Sequence, residues 1–388
     1  MKYFWLVCAG MADEPLAALD GRTPLEVAKT PFMDELAKAA TLANAAWVEP
    51  SLPASDEVAA LSMLGYSPKE SYTGLAPLEA VGSGFSQNDA QIVFRCDFVT
   101  LVDGELSDHT AGKISAKEAQ VLAMELNRGL ADFKAKIVPV EGYKNLLVID
   151  DADKSSALDE LETTSPMRVR GQQIAKWPLK GKAAGLLQEI TAFTRTALEN
   201  HDVNRVRIDL GENPASQIWL WGQGRRPKLQ SFAARSGVRG AFFSDRLGWR
   251  GVGTAAGLQA MKKWDENEFA DFNLFDSAAK FNETSTDFKA KIRRIEEFDA
   301  QVIGKLVAWL EKKRSPARVV ITSDVVHSTV RGANTHGHAP LLVWGEGFAS
   351  DGAPASPTGR DGFHEKNCDL SGRLFDPGHT FIAQFLKG

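Results

Sequence analysis

Apolar residues collect in six short runs along the chain: WLVCA at 5–9, QIVFRCDFVTL at 91–101, NLLVID at 145–150, SQIWLWG at 216–222, RVVITS at 318–323 and PLLVWG at 340–345. Most are continuous rather than alternating, the pattern of strands covered on both faces. Helix-period segments between several of them give an α/β chain. The clearest predicted helix runs from Asp287 to Lys313, where Phe288, Ile292, Ile295, Val302, Leu306 and Trp309 fall on one face. Residues 86–180 carry shorter strands, the acidic turn DDADK and the loop TTSPMRVRG, and predict an inserted α+β lobe. The main body is then 1–85 with 181–388. Residues 347–362, GFASDGAPASPTGRDG, predict a surface loop.

Composition adds mainly exclusions. Hydrophobic residues at 44% and charged residues at 24% of 388 are ordinary globular values. No apolar run approaches the roughly 18 residues that cross a membrane, so no membrane association is expected. A net charge of -5 without an extended basic cluster gives no case for nucleic acid. Cys8, Cys96 and Cys368 are too few and too scattered for a disulfide framework or zinc cluster, which makes the cytoplasm the expected compartment. The oligomeric state is not readable.

Three stretches could carry chemistry. The first apolar run ends in LVCAGMADEP, a strand end of the kind that bears catalytic groups in α/β folds, yet the residue just past it is Ala9. Ser55, after Pro53 and Ala54 and before a helical run, lies where a helix N-terminus favours an anion, which suits a serine receiving a phosphoryl group. The same position suits a plain helix cap, helped by Asp56 and Glu57. In VVITSDVVHSTVRGANTHGHAP a β-branched run delivers Asp324, and His327, His336 and His338 follow, a carboxylate–imidazole set that can ligate zinc or manganese.

These residues sit within a larger pattern. The stretches GMADEPLAALDGRTPLEVAKTPFMDELA, PASDEVAALSMLGYSPKESYTG, PLEA, FRCDFVT, SDHTAGKIS, IWLWGQG, RGVG, AAG and FHEKNCDLSGRLFDPGH resemble the cofactor-independent phosphoglycerate mutases of archaeal type. The GMAD wording is similar to the subgroup proposed to act as an alternative homoserine kinase. The resemblance implies an alkaline-phosphatase-like three-layer α/β/α core holding two divalent metals (Mn, Zn or Mg), interrupted by a smaller α+β lobe that caps the substrate. It also implies a serine transiently phosphorylated between the metals.

Carried over residue by residue, the resemblance implies a damaged site. Ser55 matches the nucleophile, and Asp324 and His336 match metal ligands. Ala9 stands where the family has an aspartate ligand, and Val325 where it has a histidine. A further Asp–His pair falls on Lys280 and Thr284, or in a shifted frame on Asp276 and Lys280. An arginine of the family's YTGRGPLEA is Leu75. Two cations need several anionic ligands to offset their repulsion, so the expected cofactor is none or a weakly bound divalent metal. Asp13, Asp276, His327 and His338 are the candidate compensating ligands. Lys280 could cradle a phosphorylated small molecule without metal, and Arg95, Asp108, Arg168 and Arg170 are candidate substrate contacts from the lobe. Three readings follow: a catalytically degenerate mutase-like protein, an active metal-dependent mutase or related phosphotransferase with rearranged ligands, or a regulatory or partner subunit.

Overall fold

The computed structural model describes residues 1–152, 157–277, 285–348 and 361–387. By contacts the chain forms two compact units, Met1–Tyr72 with Lys228–Gly388, and Thr73–Pro227. The second unit is thus wider than the 86–180 lobe read from sequence. The reason lies in its sheet, which recruits a strand beyond residue 180.

The first unit opens with β1 (Lys2–Cys8) and β2 (Ala40–Ala45), followed by the helix Asp56–Met63. The chain then enters the second unit. There β3 (Gln91–Val102), β4 (Glu105–Asp108), β5 (Ala135–Glu141), β6 (Lys144–Asp150) and β7 (Gln217–Gly224) form one sheet in the order β4-β3-β6-β5, with β7 also paired to β3. The helices Ala116–Leu130 and Ala184–Glu199 cover it through Leu122, Leu126, Leu187 and Ile190, which pack on Phe94, Phe98, Leu147 and Ile149. Because β7 hydrogen-bonds β3 from Val93 to Val99, the residues that lead to it belong to this unit as well.

Returning to the first unit, β8 (Gly240–Phe243), β9 (Gln259–Ala260), β10 (Phe272–Ser277), β11 (Ala317–Thr322), β14 (Ala339–Gly345) and β15 (Leu374–Phe375) complete an eight-stranded sheet with β1 and β2. Its order is β15-β2-β14-β11-β1-β10-β8-β9. Two short strands, β12 (Val326–Ser328) and β13 (Ala333–Thr335), form a separate hairpin. In β1, Phe4, Leu6 and Cys8 face a layer built from Leu25, Met33, Ile295, Leu306 and Trp309, while Trp5 packs on Trp47, Phe272, Phe381 and Phe385. Helices on both faces of a largely parallel sheet make the three-layer α/β/α core, and explain why β1 and β11 read as unbroken apolar runs.

The long helix expected over 287–313 is two α segments, Phe288–Phe298 and Gly304–Lys313, joined by a π turn at Asp299–Ile303. The buried Asp299 carboxylate accepts the Phe32 and Met33 amides at 3.1 and 2.7 Å, capping the helix Pro31–Ala37, whose own N-cap Thr30 makes no side-chain cap bond. The extra residue of a π turn lets that carboxylate face its neighbour. All of the expected 347–362 loop except Gly347, Phe348, Asp361 and Gly362 lies outside the described residues.

Candidate functional site

Register places the candidate residues at one edge. Val7 of β1 is level with Asp276 of β10 on one side and Thr322 of β11 on the other, and Phe275 of β10 is level with Phe243 of β8. The carboxyl ends of four adjacent parallel strands therefore present Ser244, Asp276, Ala9 and Asp324 at similar height. Open α/β sheets bind ligands at such an edge. Gly10 turns the chain at φ 59°, a left-handed conformation suited to glycine, and its amide donates to Asp324 Oδ1 at 2.8 Å. The predicted neighbours Ala9 and Asp324 are brought together.

What lies between the carboxylates is a guanidinium. Arg246, at the N-terminus of the helix Leu247–Ala255, donates from Nη1 to Asp56 Oδ2 at 2.7 Å and to Asp324 Oδ2 at 2.6 Å. Its Nη2 and Nε grip both oxygens of Asp276 at 2.6 and 2.9 Å. Ser244 Oγ also donates to Asp276 Oδ2, at 2.6 Å, and accepts the Arg246 amide. The Trp249 ring lies 4.9 Å beneath the guanidinium carbon, a cation–π contact. Gly248 lets this helix approach Asp56–Met63, because any side chain there would run into Glu57. Burial works against the Arg246 charge, but Asp276, Asp324 and Asp56 outweigh it and hold its pKa well above the ordinary value. Burial pushes the Asp276 carboxyl up, with Arg246 opposing.

A second fixed cation sits nearby. Lys291 Nζ donates to Asp13 Oδ2 at 2.7 Å and to the carbonyls of His327 at 2.6 Å and Ala12 at 3.1 Å. Burial pulls its pKa below that of an ordinary lysine, with Asp13 opposing. Asp13 also accepts Thr329 Oγ1 at 2.9 Å and the amides of Glu14 and Thr329. Arg294 donates to the Ala9 carbonyl, so a cation reaches the strand end that lacks a carboxylate.

Ser55 is the N-cap of Asp56–Met63, its Oγ accepting the Val58 amide at 3.4 Å. The loop that carries it is tied at both ends. His336 donates from Nε2 to the Leu52 carbonyl at 2.8 Å, and Asp56 is held by Arg246. His336 and His338 are exposed, and Val325 is buried. His327 is buried, with Nε2 donating to the Ser285 carbonyl at 3.0 Å and Nδ1 meeting the Asn334 amide group at 3.1 Å; burial lowers its pKa. Lys280 and Thr284 lie outside the described residues.

A binuclear centre needs several carboxylates and imidazoles free to ligate. Here Asp324 spends Oδ1 on the amides of Gly10 and Val325 and Oδ2 on Arg246, while both oxygens of Asp276 are held by Arg246. Of the compensating ligands expected from sequence, Asp13 is bound to Lys291, Asp276 to Arg246 and His327 to Ser285 and Asn334. Among the described residues no three His, Cys, Asp or Glu side chains are grouped to hold a metal ion. These residues do not fit the two-metal site that the resemblance implies.

The lobe candidates belong to the second unit and differ in character. Arg95 is buried, its Nη1 on both oxygens of Glu79 at 2.6 and 2.7 Å and its Nε on Asp97 at 2.7 Å. Its guanidinium is thus committed to two carboxylates of the same unit. Asp108 accepts from Thr110, Gly112 and Asn213. Burial alone would raise its pKa, but the bonds from Asn213, Thr110 and Gly112 win and hold it down at about 2. Arg168 lies over the Trp177 ring, 5.4 Å from its centre, and Arg170 is exposed.

Sequence reasoning missed Arg246, Lys291 and Arg294. The usable signal for Arg246 was positional: GAFFSDR ends a short apolar run in polar residues, as the other strand ends do.

Comparison with known proteins agrees with the fold and names the family. The model of the 2,3-bisphosphoglycerate-independent phosphoglycerate mutases matches residues 37–204. A 2,3-bisphosphoglycerate-independent phosphoglycerate mutase of Methanothrix thermoacetophila is 32% identical over 407 aligned residues, covering 100% of both chains. A probable enzyme of the same name from Geobacter sulfurreducens is 31% identical over 410, again covering 100% of both. Among solved structures, the PH0037 protein from Pyrococcus horikoshii superposes with a TM-score of 0.77 at 21% identity, over 100% of this chain and 96% of that one. The cofactor-independent phosphoglycerate mutase from Thermoplasma acidophilum gives 0.60 at 22%, over 100% of both. The chain belongs to the 2,3-bisphosphoglycerate-independent phosphoglycerate mutase family.

Proposed function

We propose that this chain is a phosphoglycerate mutase-like protein that has lost metal-dependent phosphoryl transfer. One observation carries the reading: the Arg246 guanidinium lies among Asp56, Asp276 and Asp324 at 2.6 to 2.9 Å. A metal at these carboxylates would have to displace a largely covered, multiply hydrogen-bonded arginine, and two positive charges in that space repel. Without the ions, the transferring phosphoryl group loses its main charge stabilisation, worth several kcal/mol of barrier. Ser55 then acts as a helix cap. Three carboxylates around Arg246 also make a poor field for a phosphate dianion, so recognition of a phosphorylated small molecule draws no support from this cluster.

A second reading, an active metal-dependent mutase or related phosphotransferase with rearranged ligands, is favoured by the names of the curated relatives, which match along the whole chain. A coupled phosphoglycerate mutase assay decides between the two, run on pure protein with Mn2+, Zn2+ or Mg2+ beside an intact relative. Turnover lower by orders of magnitude is expected. Turnover near the relative's would establish the second reading.

A further inference from the structure

The second unit has a cavity of its own. It measures about 560 Å³, within the roughly 300–1,000 Å³ of small-molecule sites. Every residue that lines it falls between Glu162 and Leu220, inside Thr73–Pro227. One wall is β7, another is the helix Ala184–Glu199, and residues of 162–179 supply the rest. We infer that this cavity binds an adenine-type purine, as the free base or its nucleoside, stacked on tryptophan and read by the Gln217 amide.

Three observations carry the inference. Gln217 is only 7% exposed, yet among the described residues its side-chain amide makes no hydrogen bond, and its polar atoms stay open to the cavity it lines. Buried amides are nearly always partnered, so this one is placed to take its partner from the cavity. It offers a donor and an acceptor in one plane, and adenine presents the complementary pair at N7 and N6.

The second observation is the aromatic surface beside that amide. Trp219 is two residues along the same strand from Gln217, and so on the same face, and Trp177 also lines the cavity. Both indole N–H groups are already spent, Trp219 Nε1 on the Thr164 carbonyl at 2.7 Å and Trp177 Nε1 on Gln172 Oε1 at 3.2 Å. The rings therefore offer π surface rather than donors, and purines stack on such surface. Charge supplies the third. The charged side chains on the lining are Glu162, Arg195 and Glu199, all exposed. One solvated cation against two carboxylates makes no seat for a phosphate chain, which restricts the ligand to an uncharged base or nucleoside.

The test uses the full chain and adenosine as the probe, with ribose and adenosine monophosphate beside it, read by calorimetry and tryptophan fluorescence. Adenosine should bind at about one per chain with a Kd below about 1 mM. The monophosphate should bind no tighter, and ribose should not bind. Gln217→Leu, which keeps the bulk and drops the amide, should weaken adenosine about tenfold and unfold no earlier than the parent, because the amide has no protein partner to lose. Trp219→Leu should weaken it at least about fivefold, whereas Trp219→Phe, which keeps a ring, should bind more tightly than the leucine variant.

Adenosine binding weaker than about 1 mM in the parent would overturn the inference. So would binding that Gln217→Leu leaves intact, because the ligand would then sit elsewhere. Ribose binding as adenosine does would make the cavity a sugar site instead, and a monophosphate bound about tenfold tighter than adenosine would contradict the uncharged ligand.

Discussion

Two arginine–carboxylate clusters, one in each unit, are built differently. Arg95 pairs with Glu79 and Asp97, both within 16 residues of it in sequence, with Trp221 Nε1 donating to the far oxygen of Asp97 at 2.8 Å. It pins neighbouring parts of one sheet and the helix beside it. Arg246 pairs with carboxylates up to 190 residues away, at the strand-end edge where this fold class places its chemistry. In both, burial disfavours the charge and the neighbouring carboxylates outweigh it, holding the guanidinium pKa above its ordinary value. The difference lies in where the partners come from: those of Arg95 are local in sequence, whereas those of Arg246 are brought together only by the strand-end edge of the sheet.

The strongest test of that distinction sets Arg95→Met against Arg246→Ala. Each should lose about 3–5 kcal/mol, because each leaves carboxylates buried without their cation. Chemical unfolding measures both losses. A loss under about 1 kcal/mol in either variant would mean that its carboxylates do not depend on the arginine.

Glu365 tests the opposite situation, a partly buried carboxylate without an arginine. Burial raises it to about 7, partly offset by the Thr23 hydroxyl and the Asp13 amide. The folded chain therefore keeps the proton up to about 7, while the unfolded chain releases it near 4.5. Its contribution to stability is complete below pH 4.5 and is lost as pH rises to about 7, an effect of roughly 3 kcal/mol. Glu365→Gln should flatten urea midpoints across this window and be the more stable protein above it.

Smaller effects separate cap from nucleophile. Ser55→Ala should cost about 1 kcal/mol as a lost N-cap, and should leave no phosphoryl-transfer activity to abolish. A large fall in mutase turnover would make Ser55 a nucleophile after all. Asp108 runs opposite in sign to Glu365: held at about 2, it stabilises the fold above pH 3.8, and that contribution disappears as pH falls through 2. Because Asp108 is partly exposed, Asp108→Asn should remove less than about 1 kcal/mol, visible only in acid unfolding curves.

The fold was largely legible because six of its strands announce themselves as apolar runs, and because strands covered on both faces leave no alternation to misread. β10 was harder: FNLFDS carries Asn273 and Asp276, polar residues whose partners, the Ala270 carbonyl for Asn273 Nδ2 and Ser244 and Arg246 for Asp276, lie outside the segment. The break in the 287–313 helix follows from Asp299 capping a helix some 270 residues earlier, a relation no local periodicity contains. The extent of the second unit depends on β7 pairing with β3, and composition does not report pairing. At the site, Ala9 and Val325 are readable as departures from the pattern that the resemblance implies, but the Arg246 cluster beside them is not. Arg246 is recognised by its partners, and those are assembled only by the parallel register of β8, β10, β1 and β11.

If a guanidinium stands where the resemblance implies divalent ions, the unmodified protein retains no metal, and its metal content measures this most directly. Elemental analysis after purification with Mn2+, Zn2+ and Mg2+ present, followed by desalting, should find no stoichiometric metal on the chain. About two equivalents per chain, the complement of a binuclear centre, would contradict the account.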